Sequence, residues 1–186
     1  MAKEKKLDIK KIEAMRHEVL QQICDDLNED LVASAIRTAE DIGVEGAPEM
    51  LTVIFDEIGL SHDDALGEFY FYPIGTDEDV TGFLSCVITL SEELQTEHLD
   101  KLYEALSVLN FHILSGSFGV SADRKFLSYK LCVPYPLSMG KDELYDFVNI
   151  VTGNAVTMAD QWADMVLRIA EGEGSVDDVT DALGSE

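Results

Sequence analysis

The fold is decided by residues 96–172, which read TEHLDKLYEALSVLNFHILSGSFGVSADRKFLSYKLCVPYPLSMGKDELYDFVNIVTGNAVTMADQWADMVLRIAEG. Apolar residues in this stretch recur first with a helical period, then alternate as in strands, and then return to a helical period. The order predicts a helix, a two-stranded hairpin and a long helix. The expected fold class is therefore α+β, with a twisted antiparallel sheet of two hairpins packed on helices.

Each helix of this stretch is marked by an apolar stripe. In the first, at 96–109, the stripe comprises Leu99, Leu102, Tyr103, Leu106 and Leu109. In the second, at 141–171, the stripe advances in steps of four and three residues: Leu144, Val148, Val151, Ala155, Met158, Trp162, Met165 and Ile169. A stripe of this kind is typical of a helix with one face in a core, so we expect Trp162 to be buried.

The two hairpins are indicated by alternation of side chains. Strands at 68–74 and 83–90 flank an acidic turn, and a second pair of strands lies at 111–120 and 125–134. In the strand at 68–74, Phe69 and Phe71 point to one face of the sheet, and Tyr70 and Tyr72 point to the other. In the third strand, the pattern places Leu114, Phe118 and Val120 on one face, and Gly116 and Gly119 indicate a bulge or a close backbone approach.

The segments outside these hairpins read as helices. Residues 8–42 carry helical periodicity with a potential break at 28–30, and a short helix is expected from Pro48 to Gly59. We therefore divide the chain into an N-terminal helical segment with a lysine-rich arm (1–46), an α+β domain (47–172) and an acidic tail (173–186). The tail is either disordered or one small helix capped by Ser175.

Composition restricts the partners. The chain has 37 acidic and 13 basic residues, a net charge of −24, which repels nucleic acid and anionic lipid surfaces. No apolar run is long enough for a membrane helix, and no signal peptide is recognisable. Three widely spaced cysteines without a C-x-x-C motif are typical of reduced thiols in a cytoplasm. We expect a soluble cytoplasmic protein that binds neither nucleic acid nor membrane.

No motif predicts catalysis, a cofactor or a metal site. Asp77, Asp79 and Thr81 match the opening of a calcium loop, but the residue that should close it is Ile88 and the segment lies between strands. The four histidines lack metal-ligand spacing, although His62 precedes two aspartates that could bind metal weakly. Gly116-Ser117-Phe118-Gly119 does not complete a serine elbow. An acidic hairpin turn and ordinary loop residues are the preferred interpretations.

The order of elements resembles the type III secretion chaperone-like fold and the YbjN family of sensory-transduction regulators. The resemblance covers residues 47–171 and is carried by Leu109-Asn110-Phe111, by the hairpin from Gly116 through Tyr129, and by the final helix with Trp162. The pattern here has two strands before the middle helix, where these families usually have three. The resemblance implies a small, acidic, often dimeric bacterial protein that binds polypeptides in extended form.

These observations predict a non-enzymatic, chaperone- or adaptor-like protein that binds a polypeptide. The partner would add to a sheet edge or lie on the face that carries Tyr70, Tyr72 and Phe83, since amphipathic aromatic residues are enriched at interfaces. The alternative is a small-molecule sensor or small enzyme with a pocket between sheet and helices, containing His112, Tyr129 or Cys132. A homodimer through the helix at 141–171 is also expected.

Overall fold

A computed structural model of the chain describes residues 8–59 and 63–184. Its elements in chain order are α1 (Ile9–Glu29), β1 (Ser34–Arg37), α2 (Ala39–Ile42), β2 (Met50–Ile58), β3 (Asp63–Phe71), β4 (Thr81–Ser91), α3 (Leu99–His112), β5 (Ser117–Val120), β6 (Leu127–Pro136), α4 (Lys141–Ala170) and α5 (Val176–Gly184). His62 and most of the lysine-rich arm lie outside the described residues.

The strands form one antiparallel sheet of six in the order β1-β2-β3-β4-β6-β5, which confirms the α+β class. Both predicted hairpins are present, since β3 neighbours β4 and β5 neighbours β6, but the strand predicted at 111–120 covers only Ser117–Val120 because α3 continues to His112. Ser117 lies opposite Lys130 in the second hairpin, and Ser34 lies opposite Val53 in the pair of strands that the sequence analysis missed.

The helical pattern predicted over 8–42 divides at 28–30, as expected, because α1 ends at Glu29, and it is wrong at Ser34–Arg37. The Asn28 amide donates to the carbonyls of Cys24 and Ser34, and Leu31 has a positive φ of 65°, so the chain turns back on itself. Ser34–Arg37 is consequently a strand, although the apolar period continues through it. The short helix α2 then begins with a capping box at Thr38 and ends at Ile42, with Gly43 as its C-cap in the left-handed conformation.

The short helix predicted after Pro48 is also wrong. Met50–Ile58 is strand β2, in which Leu51 and Val53 are buried and Ile54 is exposed. The run Thr52-Val53-Ile54 is β-branched, which favours a strand, and β1 offers the segment a pairing partner. Gly59, with a φ of 73°, ends the strand as it was expected to end the helix.

The described residues form two compact units. The first contains 8–53, 68–86 and 132–153, and the second contains 54–59, 63–67, 87–131 and 154–184. The core of the first unit includes a chain of rings in which Tyr135 lies 5.5 Å from both Phe71 and Phe147. Helix α1 therefore shares with α4 the face of β3 and β6 on which Phe71 and Tyr135 lie.

The second unit holds most of the predicted helical stripes. Leu99, Leu102, Leu106 and Leu109 of α3 are buried together with Ala105, but Tyr103 is exposed and does not belong to the stripe. Trp162 is buried, as predicted, while Met158 and Met165 are only half-buried. Leu114 is exposed because it precedes β5 and is not part of the strand.

The acidic tail contains helix α5, which packs against α3 and buries Val179. The Asp178 carboxylate accepts hydrogen bonds from the backbone N–H and the hydroxyl of Ser175, which organises the first turn. Of the two alternatives left open by the sequence, the helix beginning after Ser175 is the one formed by residues 176–184. The three-part division of the chain stays a prediction.

The close contact between Gly116 and the Tyr129 side chain allows the packing of the second hairpin to be tested. A Cβ built on Gly116 would overlap the Tyr129 phenol, which donates to the Ser115 carbonyl, and Gly116 has a positive φ of 66°. We expect Gly116→Ala to lower the free energy of unfolding by roughly 2–4 kcal/mol, from overpacking and backbone strain together. Urea denaturation followed by circular dichroism measures this loss.

Gly119→Ala is the matched control, three residues further along in β5. A Cβ at Gly119 meets no atom within 4 Å, and its φ is not positive, so its stability should stay close to that of the unmodified chain. Equal losses in the two variants would contradict the close approach at Gly116.

Candidate functional site

Three aromatic side chains predicted to bind a partner lie together, and we call them the aromatic strip: Tyr70, Tyr72 and Phe83. The Tyr72 N–H donates to the Phe83 carbonyl (3.0 Å), which places these residues side by side at the end of β3 and the start of β4. The Tyr70 and Tyr72 rings meet edge to face at 5.4 Å. Tyr72 is 37% exposed and Phe83 44%, whereas Phe69 and Phe71 are buried on the opposite face.

Directly beneath the end of the strip lies Arg16, a charged residue of α1 that is only 5% exposed. Its Nε donates to the Tyr135 hydroxyl at 2.6 Å, and its Nη1 donates to the Tyr72 carbonyl at 3.0 Å. The guanidinium carbon lies 5.0 Å from the centre of the Phe71 ring and 5.6 Å from that of Tyr135. These distances are those of cation–π contacts, which partly replace the water lost on burial.

The third nitrogen of this guanidinium has no partner. Nη2 is buried and forms no hydrogen bond within the part of the chain that the structure describes. It lies beside Gly82 of β4, where an added Cβ would come within 2.7 Å of it. Gly82 therefore leaves the space that the guanidinium occupies, and any larger residue would displace it.

Sequence reasoning missed Arg16, although a signal for it was present. Arg16 is four residues after Ile12 and three before Val19, so it lies on the apolar stripe of α1. A charged residue on such a stripe is either lifted to solvent or buried with polar partners. The periodicity alone does not distinguish these outcomes, because the partners Tyr72 and Tyr135 come from distant parts of the chain.

Two cavities flank the Arg16 side chain. The first, of about 240 Å³, is lined by Glu13, Arg16, His17, Leu20, Pro48, Glu49, Phe71 and Pro73. The second, of about 160 Å³, is lined by Arg16, Tyr72, Pro73, Ile74, Asp79, Thr81, Gly82 and Phe83. The second cavity thus joins the guanidinium to two members of the aromatic strip.

Acidic groups surround these cavities without pairing with Arg16. The Glu49 carboxylate lies 2.9 Å from His17 Nδ1 in the first cavity. In the second, the Asp79 carboxylate accepts a hydrogen bond of 2.8 Å from the backbone N–H of Thr76, which holds it in the acidic turn. The surroundings are therefore negative, while the guanidinium itself contacts only neutral oxygens and rings.

The Tyr135 hydroxyl stays protonated at neutral pH. Burial raises the pKa of Tyr135, and the nearby positive charge and hydrogen bond of Arg16 oppose this rise. The hydroxyl that accepts the hydrogen bond from Arg16 Nε is therefore neutral, and it does not compensate the positive charge of Arg16.

Two further cavities have a different character. One of about 700 Å³ lies between the start of α1 and the start of α4, where Lys141 pairs with Glu18 at 2.9 Å. That pair is exposed on both sides, and the hydrogen bond and positive charge of Lys141 lower the pKa of Glu18. The other, of about 240 Å³, is in the second unit beside Arg168 and Asp178. Neither contains a buried side-chain donor without a partner among the described residues.

The three residues of the predicted alternative pocket have separate environments. His112 is exposed at the end of α3, where its Nδ1 lies 2.9 Å from the Val108 carbonyl. Tyr129 is buried and donates to the Ser115 carbonyl, and Cys132 is exposed on β6. None of the three lines any of the four cavities described above, and the alternative pocket stays a prediction.

Within residues 8–59 and 63–184, no group of three His, Cys, Asp or Glu side chains is arranged to hold a metal ion. The same residues include no helix that is both long and apolar enough to span a membrane. No family model matches the chain, and no curated protein matches it. Any statement about function therefore depends on the geometry of the site.

The cysteines provide a chemical test of the sheet faces. Cys132 is exposed, whereas Cys24 and Cys86 are buried, and burial together with the nearby Cys132 raises the pKa of Cys86 to about 12. Since the thiolate is the reactive form, we expect one rapidly reacting thiol with Ellman's reagent at pH 8, and three after unfolding in guanidinium. Cys132→Ser should abolish the rapid reaction. Persistence of a rapid thiol in this variant would contradict the assignment of β6 faces.

Proposed function

We propose that the protein is a non-enzymatic, chaperone- or adaptor-like module that binds a polypeptide partner in the cytoplasm. The observation that carries this proposal is the partly exposed aromatic strip on neighbouring strands β3 and β4. Aromatic side chains supply large contact area at low cost in conformational entropy, so they are frequent anchors of protein interfaces.

The surroundings of the strip support a broad binding surface. Cys132, Pro134 and Pro136 of β6 are exposed, at alternate positions of a strand whose other face carries the buried Tyr135. Strand β6 adjoins β4 in the sheet, so the strip continues into the exposed side chains of β6. Such a face suits an extended segment bound mainly through side chains.

The sheet edges are less suited to the partner than this face. The edge strands β1 and β5 contain four residues each, which is a common way of limiting edge-to-edge pairing. A strand added to either edge would gain few main-chain hydrogen bonds. Of the two docking modes predicted from the sequence, the sheet face is therefore preferred.

Charge favours a basic partner. The turn between β3 and β4 carries Asp77, Glu78 and Asp79 next to the aromatic strip, and the whole chain has a net charge of −24. A negative surface attracts positively charged segments and repels acidic ones, so it raises the association rate of a basic polypeptide.

The order of elements adds support to the resemblance with the chaperone-like and YbjN-type families. Four strands precede α3: β1 lies before the range of the resemblance (47–171), and β2, β3 and β4 lie within it; β5, β6 and α4 follow α3. Three strands before the middle helix is the number usual in those families, whereas the sequence pattern indicated two. This agreement concerns the order of elements only, and the partner of this chain is proposed from its own surface.

The strip can be tested with an immobilised panel of extended peptides that combine lysine or arginine with apolar residues. We expect binding to this panel, and a loss of about tenfold or more in affinity in the double variant Tyr72→Ser, Phe83→Ser, because two anchor rings are removed. Surface plasmon resonance at fixed salt measures the change.

Tyr103→Ser is the control, since Tyr103 on α3 is 43% exposed and thus nearly matches the 44% of Phe83. It should bind as the unmodified chain does. Equal loss in the control and the double variant, or no peptide binding at all, would contradict the aromatic strip as the docking surface.

We further propose a homodimer through α4, whose Ile150 is 64% exposed within an otherwise amphipathic helix. Light scattering should give twice the chain mass, and Ile150→Glu should return it to that of one chain, because a buried unpaired carboxylate destabilises an interface. A dimer that persists in this variant would place the contact elsewhere, and a monomeric unmodified chain would exclude the proposal.

A further inference from the structure

Only some of the N–H donors of the Arg16 guanidinium have a hydrogen-bond acceptor. A guanidinium carries five N–H donors, and here Nε and one N–H of Nη1 have neutral acceptors, Tyr135 and the Tyr72 carbonyl. Nη2 brings two donors that find no acceptor in the described part of the chain. A buried donor without an acceptor is rare in folded proteins and calls for a specific explanation.

The positive charge of Arg16 also lacks a negative partner among the described residues. Arg16 makes no ion pair with any carboxylate among residues 8–59 and 63–184. Buried cations are normally paired with an anion, because the free energy lost when the charge leaves water exceeds the stabilisation that hydrogen bonds to neutral acceptors provide. The Phe71 and Tyr135 rings offset part of this cost but bring no negative charge.

Arg16 lines the second cavity, and its unsatisfied nitrogen lies next to one wall of that cavity. Nη2 lies beside Gly82, and Gly82 is itself part of the wall of that cavity. The other lining residues are Tyr72, Pro73, Ile74, Asp79, Thr81 and Phe83. A donor pair at one end and apolar walls at the other are the usual components of a site for a small amphipathic ligand.

The nearby Asp79 does not supply the missing acceptor. Its carboxylate accepts from the Thr76 N–H at 2.8 Å and lies over Gly75, where an added Cβ would meet it at 3.2 Å. It is therefore held by its own turn while it contributes negative charge to the cavity wall. Removing that charge should favour an anionic ligand, which makes Asp79 useful for a test.

We propose that Arg16 anchors a binding site for a small carboxylic acid. One carboxylate oxygen accepts from Nη2, and the apolar body of the ligand lies against Pro73 and Ile74 in the same cavity. A volume of about 160 Å³ restricts the ligand to a small molecule. This site is distinct in kind from the docking of a polypeptide on the open sheet face, and it does not depend on that proposal.

Benzoate and benzamide are suitable probes, because they share ring and shape but differ in charge. We expect benzoate to bind with a dissociation constant of about 1 mM, because so small a ligand makes few contacts. Benzamide should bind about tenfold more weakly, because it lacks the negative charge that pairs with Arg16. Isothermal titration calorimetry gives the affinities. Amide chemical shifts should change at Gly82 and Phe83 on addition of benzoate.

Two variants of opposite expected effect test the role of charge. Arg16→Met keeps an apolar side chain in place but removes the donors, so it should abolish benzoate binding. Asp79→Asn keeps an acceptor for the Thr76 N–H and removes a repulsive charge, so it should bind benzoate roughly threefold to tenfold more tightly. Glu78→Gln is the control, since it makes the same charge change in the same turn without lining the cavity.

The outcomes separate the proposal from its competitors. Tighter binding of benzoate in Asp79→Asn but not in Glu78→Gln supports the site even if Arg16→Met fails to fold. Equal affinities for benzoate and benzamide, or no effect of Asp79→Asn, would overturn it. Tighter binding of inorganic phosphate than of benzoate would also overturn it, because the apolar walls would then contribute nothing.

Discussion

The backbone hydrogen bond from Tyr72 N–H to the Phe83 carbonyl sets the register on which the site depends. In a sheet, a shift by one residue exchanges the two faces of a strand. With this register, Phe71 and Gly82 lie on the helix-covered face next to Arg16, and Tyr72 and Phe83 lie on the other. The aromatic strip and the guanidinium site are therefore two consequences of one strand pairing.

Burial of Arg16 is sustained by several interactions of moderate size. Taking a guanidinium out of water costs several kcal/mol, and each hydrogen bond from a charged donor returns about 1.5–3 kcal/mol. The two rings add roughly 1–2 kcal/mol by cation–π attraction. These contributions roughly balance, so Arg16 lies at a position where one additional acceptor would have a large effect. A protein that needed Arg16 only for packing would be served as well by Met or Leu.

Sequence patterns identified those elements whose period was unambiguous. The alternation of Phe69 and Phe71 with Tyr70 and Tyr72 predicted the faces of β3, and the stripe around Trp162 predicted the buried side of α4. The patterns failed at Ser34–Arg37 and Met50–Ile58, where short apolar runs fit either period. These two segments pair with each other, so each becomes a strand because the other is one.

The candidate site could be predicted only in part from sequence patterns. Tyr70, Tyr72 and Phe83 were identified because amphipathic aromatic residues are enriched at interfaces, but Arg16 was not, since its neighbours on α1 are apolar.

The amino-acid sequence by itself determined the α+β class, the acidic surface, the two hairpins and the face on which each aromatic residue of β3 lies. These follow from local periodicity and composition, which need no knowledge of distant contacts. Only the tertiary structure decided that β1 and β2 extend the sheet, and that Arg16 is buried with one nitrogen unsatisfied. The reason is that its partners Phe71, Tyr72, Gly82 and Tyr135 are 55 to 119 residues away and are brought to α1 only when the chain is folded.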